Sequence, residues 1–487
     1  VIHAAIAIDA ASSWQVIAIA LVGELLAIVF VYRVLVRGGS PSSTLLWMLV
    51  ILATPWIGLS LYYLLPRRLE LRRLRRLRAR GARAREFRPR RGTSDADMKV
   101  EPRRAGLRAL LGGADGSGLA AGSELLWLPS GEQFFANAAA AIEQALHHVH
   151  VVVYILRPDA TGKRFLELLV RAARRGVAVR LLYDSFGSFG LKAAHLQALH
   201  AAGGRAEPFL PLLWKRRPFT VNLRNHRKLL VVDGAVGFVG GRNVGDEYFT
   251  DRVGQARRWL DAMLELRGPV VARLQDVFVE DWYTATDQAL EDLPVGPAAA
   301  PRADGGEAGV VCSGPDREES DLWFSVIQAI GDAESTVDLS SPYLVPPPTL
   351  SFALQLAAAR GVTVRIYTNG PKVESAVLYH AQRHHYRQLL AAGIELYETV
   401  REYNHAKLLV VDGQTVLVGS ANMDLRSAHL NFEIAVMAVD AEVLAGEVMQ
   451  TIERRRADFR RLQDADLPTD PVRRVIDGLC GMLSPLL

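Results

Sequence analysis

Cysteine is nearly absent: Cys312 and Cys480 are the two in 487 residues. Two thiols cannot staple a disulfide-dense domain or build a four-ligand zinc site, so a reducing compartment is the economical reading. Metal-ligand patterns are equally thin. His380, His384 and His385 share a helical stretch and include an i, i+4 pair, but no matching acid completes a site, and a solvated surface is favoured. His147, His148 and His150 read as local polar residues. No metal and no cofactor is expected. Neither sign of charge dominates, with 57 lysines and arginines against 52 acids and a net balance of only +5. That mild excess is concentrated in one place, which excludes a uniformly basic, nucleic-acid-like surface.

Apolar residues are abundant, half of the chain, and the length allows two or three domains with full cores. Trp14 to Val36 carries one acid, Glu24, and one base, Arg33, in a stretch otherwise nearly all apolar. That is enough to cross a hydrocarbon layer of ~30 Å. A turn at Arg37-Gly38-Gly39-Ser40-Pro41 leads into Thr44 to Leu65, a second apolar run without charge. Residues 1–66 are therefore expected to form an N-terminal transmembrane helical hairpin. A cleaved signal peptide is the rival for the first run, but no short basic region precedes it and a second run follows. Residues 67–101 hold the arginine concentration, from Arg67 to Arg91. By the positive-inside rule this end is cytoplasmic, so the remaining chain is expected on the cytoplasmic face of the membrane. Such bases attract anionic lipid at ~1 kcal/mol each near the surface; nucleic acid is the rival partner, disfavoured without interleaved aromatics.

From about residue 102 the pattern becomes α/β and is written twice. A buried strand from Val149, a helix over Lys163 to Arg175, a strand over Gly176 to Asp184 and a helix over His195 to Ala202 lead to the segment NHRKLLVVDGAVGFVGGRN (Asn225 to Asn243). In the second half STVDLSSPYLV, Leu350 to Arg360, Gly361 to Asn369 and Tyr379 to Ala392 lead to NHAKLLVVDGQTVLVGSANMD (Asn404 to Asp424). The expected units are a first lobe at 102–290, a linker at 291–309, and a second lobe at 310–487 that ends in a helix resting on the membrane or on a partner subunit. A homo-oligomer stays open.

Each segment reads as strand, Asp-Gly turn, strand. Period-two alternation puts His226 with Lys228, and His405 with Lys407, on one strand face. The duplicated spacing H-x-K-x4-D-x6-G-[SG]-x-N resembles the signature of the phospholipase D superfamily. Further stretches, YILRPDATG at Tyr154, DSFGS at Asp184, FVEDW at Phe278, SPYLVPP at Ser341 and DLRSAHLNFE at Asp424 among them, are similar to bacterial cardiolipin synthases. The resemblance implies two phospholipase D-like α-β-α sandwich lobes sharing one active site. It further implies transfer of a phosphatidyl group from one phosphatidylglycerol to another, with water as a competing acceptor.

The chemistry suits these residue types. Splitting a displacement at phosphorus through a covalent intermediate lowers each barrier, and one imidazole can attack while a second handles the alcohol's proton. By resemblance His226 is the nucleophile and His405 the acid/base. Lys228 and Lys407 supply charge to the non-bridging oxygens, with Asn243, Asn422 and Ser420 as further donors. Asp233 and Asp412 complete the candidate catalytic set, although their place at the turns favours a structural role. Asp261 and Glu433, on apolar segments after His226 and His405 respectively, are nominated as orienting carboxylates. Gly241 stands where the second copy has Ser420, so one hydroxyl donor is missing from the first half-site. Tyr154 and Tyr343, at matching strand ends, line a groove or pack in the core. Phe209 to Phe219, with Trp214, forms either an acyl-chain gate or packing between lobes. The rivals are a membrane-tethered nuclease, which needs a basic stripe in the lobes, and a decayed scaffold, which would have lost one of the histidines or lysines.

Overall fold

The computed structural model describes residues 21–32, 41–56, 58, 78–83, 105–112, 119–211, 223–249, 259–290, 293, 306–317, 320–372 and 375–482. The chain divides into two compact units, Val1–Arg76 and Leu77–Leu487.

In the first unit residues 21–32 and Pro41–Ala53 are helical. Ala27, Phe30 and Ile51 form a small buried cluster, and a Cβ on Gly23 would meet the Trp56 indole at 2.8 Å, so the helices approach closely there. Among the described residues no helix is long and apolar enough to cross a membrane. The expected spans at 14–36 and 44–65 run into residues outside those described, as does most of the arginine-rich segment.

The second unit is built on one 16-stranded sheet. Its first half runs in the order Arg205–Phe209, Ala178–Asp184, His148–Val153, Leu229–Val232, Val236–Gly240, Met263–Arg267, Ala120–Leu128. The second half repeats that order strand for strand: Glu395–Thr399, Thr363–Thr368, Thr336–Ser340, Leu408–Val411, Thr415–Gly419, Asn431–Val439, Gly306–Ser313. Phe459–Arg461 adds an edge to the second half, and Arg224–Asn225 pairs off the main path. The halves join where Ala120–Leu128 pairs antiparallel with Gly306–Ser313, Ala120 opposite Ala308.

Helices cover both faces because these strands are buried on both. On the outer face of the first lobe Phe134, Ile142, Leu166 and Leu169, from helices Gly131–Gln144 and Ala160–Arg174, pack on Val149, Val151 and Leu230. The turn pair Asp412-Gly413 has positive φ at both residues, 52° and 64°, and so does its counterpart Asp233-Gly234, at 51° and 62°. That is the backbone twist a two-residue hairpin turn requires. A central core is shared by the lobes. Val271, Leu274 and Phe278 of helix Pro269–Thr286 and Leu444 and Val448 of helix Glu442–Arg454 meet Val239, Leu264, Val418 and Val436 there.

Two expectations need correction, and a third is placed in the interior. Ala105–Gly112, assigned by sequence to the first lobe, buries Leu107 and Leu111 in the core of the second. His148 and His150, read as local polar residues, are buried: their rings stack at 4.3 Å, His150 stacks on Phe278 at 4.2 Å, and Gln275 bonds both. His380, read as solvated, bonds Asp477 of the C-terminal helix Pro471–Met482 at 2.7 Å.

Candidate active site

Each motif enters its strand by pairing with the opposite lobe. Arg224–Asn225 runs parallel to Asn431 and Phe432, and the His226 amide donates to the Phe432 carbonyl at 2.9 Å. Tyr403–Asn404 runs parallel to Trp259 and Leu260, and the His405 amide donates to the Leu260 carbonyl at 2.7 Å. The residue that follows on each partner strand therefore arrives beside the other lobe's imidazole. Glu433 bonds His226 Nδ1 at 3.0 Å through both carboxylate oxygens, and Asp261 bonds His405 Nδ1 at 2.5 Å. Sequence spacing assigned Asp261 to the His226 lobe and Glu433 to the His405 lobe; the contacts cross between lobes instead.

With Nδ1 committed to a carboxylate, each ring has Nε2 at its other edge for chemistry. Both histidines line one cavity of ≈ 260 Å³ with Tyr154, Ile155, Arg224, Asn243, Tyr248, Trp259, Tyr343, Val345, Leu378, Asn422, Asp424, Arg426 and Asn431. Aromatic rings fix the imidazoles from the side. Tyr154 stands edge-on to His226 at 4.8 Å, and Tyr248 and Trp259 flank His405 at 5.4 and 5.3 Å.

The two lysines lie against the chain they grow from. Lys228 Nζ donates to the His226 carbonyl at 2.6 Å, and Lys407 Nζ to the His405 carbonyl at 2.5 Å. Burial pushes both amines down, Lys228 well below its usual range and Lys407 to about 8, while Asp261, Glu433 and Asp424 pull Lys407 back up. Burial also lowers both imidazoles, His226 to about 4 and His405 to about 3. Glu433 opposes the shift of His226, whereas Lys407 adds to that of His405 before Asp261 opposes it. Burial alone would raise the two carboxyls, but His405 holds Asp261, and His226 holds Glu433, below the carboxylate norm.

The other expected residues separate into those that face the cavity and those that do not. Asn243 and Asn422 are on its wall; Asn243 also accepts from the Ile155 amide and donates to the Tyr248 hydroxyl. Ser420, expected to donate to substrate, donates to Glu433 at 2.5 Å. Its counterpart Gly241 leaves the room that Asp261 fills, since a Cβ there would stand 2.2 Å from Asp261 Oδ1. The apparent missing donor is space for a shorter carboxylate. Asp233 and Asp412 are corrected as candidates for catalysis. Asp233 accepts from the amides of Leu146, His147 and His148, and Asp412 from those of Glu334, Ser335 and Thr336, each tying its hairpin to the start of the neighbouring strand.

Sequence reasoning gave no role to Arg224, Tyr248, Trp259, Asp424, Arg426 or Asn431, all on the wall. Arg224 carried a signal, since it precedes His226 by two and shares its strand parity. Arg227 lies within the motif on the opposite parity. It donates to Asp281 at 2.5 Å, to the Glu433 carbonyl at 3.2 Å and to the Ser313 carbonyl at 3.4 Å, linking the lobes behind His226. The segment around Trp214 lies outside the described residues.

A duplicated α/β lobe with two carboxylate-held imidazoles on one cavity wall, each backed by a buried lysine two residues on, defines a two-lobed enzyme of the phospholipase D class. Residues 139–282 and 326–456 match the family described as "Cardiolipin synthase, PLD-like domain", and residues 25–65 the one described as "Phospholipase D-nuclease N-terminal". A cardiolipin synthase of Geobacillus sp. (strain WCH70) is 32% identical over 95% of this chain and 92% of its own length. One of Geobacillus kaustophilus (strain HTA426) is 37% identical over 75% of this chain and 72% of its own. The phosphatidylserine synthase of Haemophilus influenzae Rd KW20 shares the fold, with a TM-score of 0.58 and 13% identity over 76% of this chain and 97% of that one. The chain belongs to the cardiolipin synthase family of PLD-like proteins.

Proposed function

We propose that this protein is a cardiolipin synthase, which moves a phosphatidyl group from one phosphatidylglycerol to the glycerol hydroxyl of a second and releases glycerol. The observation that carries the reading is the pair of histidines on one cavity wall, each with Nδ1 held by the other lobe's carboxylate. In the first half-reaction Nε2 of one imidazole, His226 by family resemblance, attacks phosphorus. The phosphorus–oxygen bond to the glycerol headgroup breaks, and His405 delivers the proton to the leaving oxygen. In the second, His405 takes the proton of the incoming hydroxyl as its oxygen displaces the phosphohistidine nitrogen.

The low imidazole values of the resting site suit the nucleophile, which must be neutral. The acid needs a proton, and the phosphodiester supplies the bias. An anion entering the cavity favours the imidazolium form, so the ring gains its proton as substrate binds. Lys228, Lys407, Asn243 and Asn422 stabilise charge gathering on the non-bridging oxygens.

The N-terminal unit supports work at a bilayer. Leu21, Leu25, Ile28, Leu45, Leu49 and Leu52 are exposed on the described helical residues, a density of apolar surface that calls for an apolar medium. The arginines after it suit the anionic cytoplasmic face of a bacterial inner membrane, with the expected hairpin at 1–66 as the anchor.

The test is purified full-length protein in phosphatidylglycerol vesicles, with lipid products and free glycerol measured. Wild type yields cardiolipin and equimolar glycerol; His226→Ala and His405→Ala yield none. Phosphatidic acid in place of cardiolipin makes the enzyme a hydrolase.

A further inference from the structure

We propose that Arg224 and Arg426 form a second anion subsite in the cavity, which holds the headgroup phosphate of the acceptor lipid while the donor phosphate lies between the histidines. The subsite rests on the reading of the chain as a cardiolipin synthase and says how that site tells its acceptor from water.

Charge sets the requirement. Donor and acceptor each carry a phosphodiester, so two anions must share one cavity during the second half-reaction, when only a three-carbon bridge separates the attacking oxygen from the acceptor's own phosphate. Two like charges in a poorly solvated space repel by several kcal/mol unless each has its own cation. The motif histidines and lysines serve the first. Among the described residues on the cavity wall, besides the two histidines, the cations are Arg224 and Arg426.

Their placement breaks the symmetry of the duplication. Counting from the motif histidines, the second-lobe position equivalent to Arg224 is Tyr403, and the first-lobe position equivalent to Arg426 is Glu247. Because each motif pairs with the opposite lobe, Arg224 from the first and Arg426 from the second converge on the same side, where Arg224–Asn225 runs along Asn431 and Phe432. Tyr403 and Trp259 occupy the equivalent side near His405, with rings 4.4 Å apart. Both lobes carry the groups that perform the chemistry, and among the described residues on the cavity wall guanidinium groups stand on the His226 side alone, since Arg242, near His405, is turned onto the Tyr248, Pro129 and Asp261 carbonyls. Two identical half-sites need no such difference, whereas a donor place and an acceptor place do.

Arg224 is also built in. It is 2% exposed, its guanidinium lies 5.5 Å over the Phe186 ring, and Asp184 stands 3.6 Å away. Asp184 in turn is fixed by the amides of Phe186, Gly187 and Asn225. Arg426, half-buried on the short helix Leu425–His429, lines the same cavity. A planar guanidinium matches phosphate oxygens in pairs, which is the reason for arginine here.

The experiment compares two acceptors for one phosphoenzyme. Vesicles of phosphatidylglycerol are supplied with isotopically labelled glycerol, and the full-length protein is assayed for cardiolipin and for label entering phosphatidylglycerol. Labelled glycerol is a neutral acceptor. Its oxygen bonds phosphorus as the phosphorus–nitrogen bond breaks, and its proton goes to the second imidazole, so exchange uses every step except binding of a second anion. For Arg426→Gln the ratio of cardiolipin to exchange falls at least ~10-fold, the scale of one charge-assisted hydrogen bond, and Arg426→Lys recovers part of it. Arg224→Gln lowers the same ratio. An unchanged ratio overturns the proposal whatever the absolute rates, and so does loss of both products together in Arg426→Gln. Wild type that exchanges glycerol and makes no cardiolipin refutes the synthase reading instead.

Discussion

Replacing Gly241 by serine makes the first motif match the second, and the two levels of reasoning disagree about its sign. Read as sequence, the change restores a missing hydroxyl donor. In the folded chain the new Cβ stands 2.2 Å from Asp261 Oδ1, 2.9 Å from Cγ and 3.0 Å from Oδ2. Ordinary contact begins near 3.4 Å, so the carboxylate must withdraw by roughly 1 Å. It has little freedom to do so, because Asp261 is buried, holds His405 Nδ1 at 2.5 Å and accepts from the Ala262 amide at 2.8 Å. Overpacking of this kind costs ~1–3 kcal/mol of stability, and displacement of a catalytic group by about 1 Å costs ~10²-fold in rate. We expect Gly241→Ser to lower cardiolipin formation by about 100-fold, well beyond its effect on folding. The assay is the initial rate of cardiolipin formation at saturating phosphatidylglycerol, set beside urea unfolding of the same preparation. The reciprocal Ser420→Gly removes one of the donors to Glu433 and is milder, ~10-fold, because Ser427 and Asn431 still bond that carboxylate. Activity of Gly241→Ser at or above wild type would refute the reasoning.

Two further outcomes follow from the same contacts. Arg227→Met leaves Asp281 buried without its closest cation and should cost ~3–5 kcal/mol by urea unfolding, with much of it regained in Arg227→Met/Asp281→Leu; a single variant as stable as wild type shows that the lobes do not depend on this link. Acid should destabilise the fold through its buried histidines, opposed in part by Asp281, which burial raises to about 6 so that it takes up a proton in the folded chain. Burial lowers His148, His150, His226 and His405 below their ordinary 6.5, so the unfolded chain binds more protons than the folded one below that value. Stability is full above about pH 6.5 and is lost as pH falls, with a slope of up to ~1.4 kcal/mol per pH unit for each histidine. Urea unfolding at about pH 7.5, 6 and 5 measures it, and His150→Gln should flatten the slope by one proton; stability constant from about pH 6.5 to 5 contradicts the assignment.

Local spacing along the chain encodes the two hairpins. Two copies of His-x-Lys before an apolar run and an Asp-Gly turn define them, with histidine and lysine at their mouths, and the matching order of strands and helices ahead of each defines two equivalent lobes. Which carboxylate serves which histidine was not legible in that way. Asp261 and Glu433 follow His226 and His405 in the chain, yet the parallel pairing of Arg224–Asn225 with Asn431 and of Tyr403–Asn404 with Trp259 hands each to the other lobe. The roles of Ser420 and Gly241 escaped for the same reason: an i-to-j spacing says which residues share a strand face, and nothing about the carboxylate that a second strand brings to that face. Contacts within a hairpin are set by its own periodicity, whereas contacts across the cavity are set by how the two halves of the sheet dock, and that is fixed in the folded molecule alone.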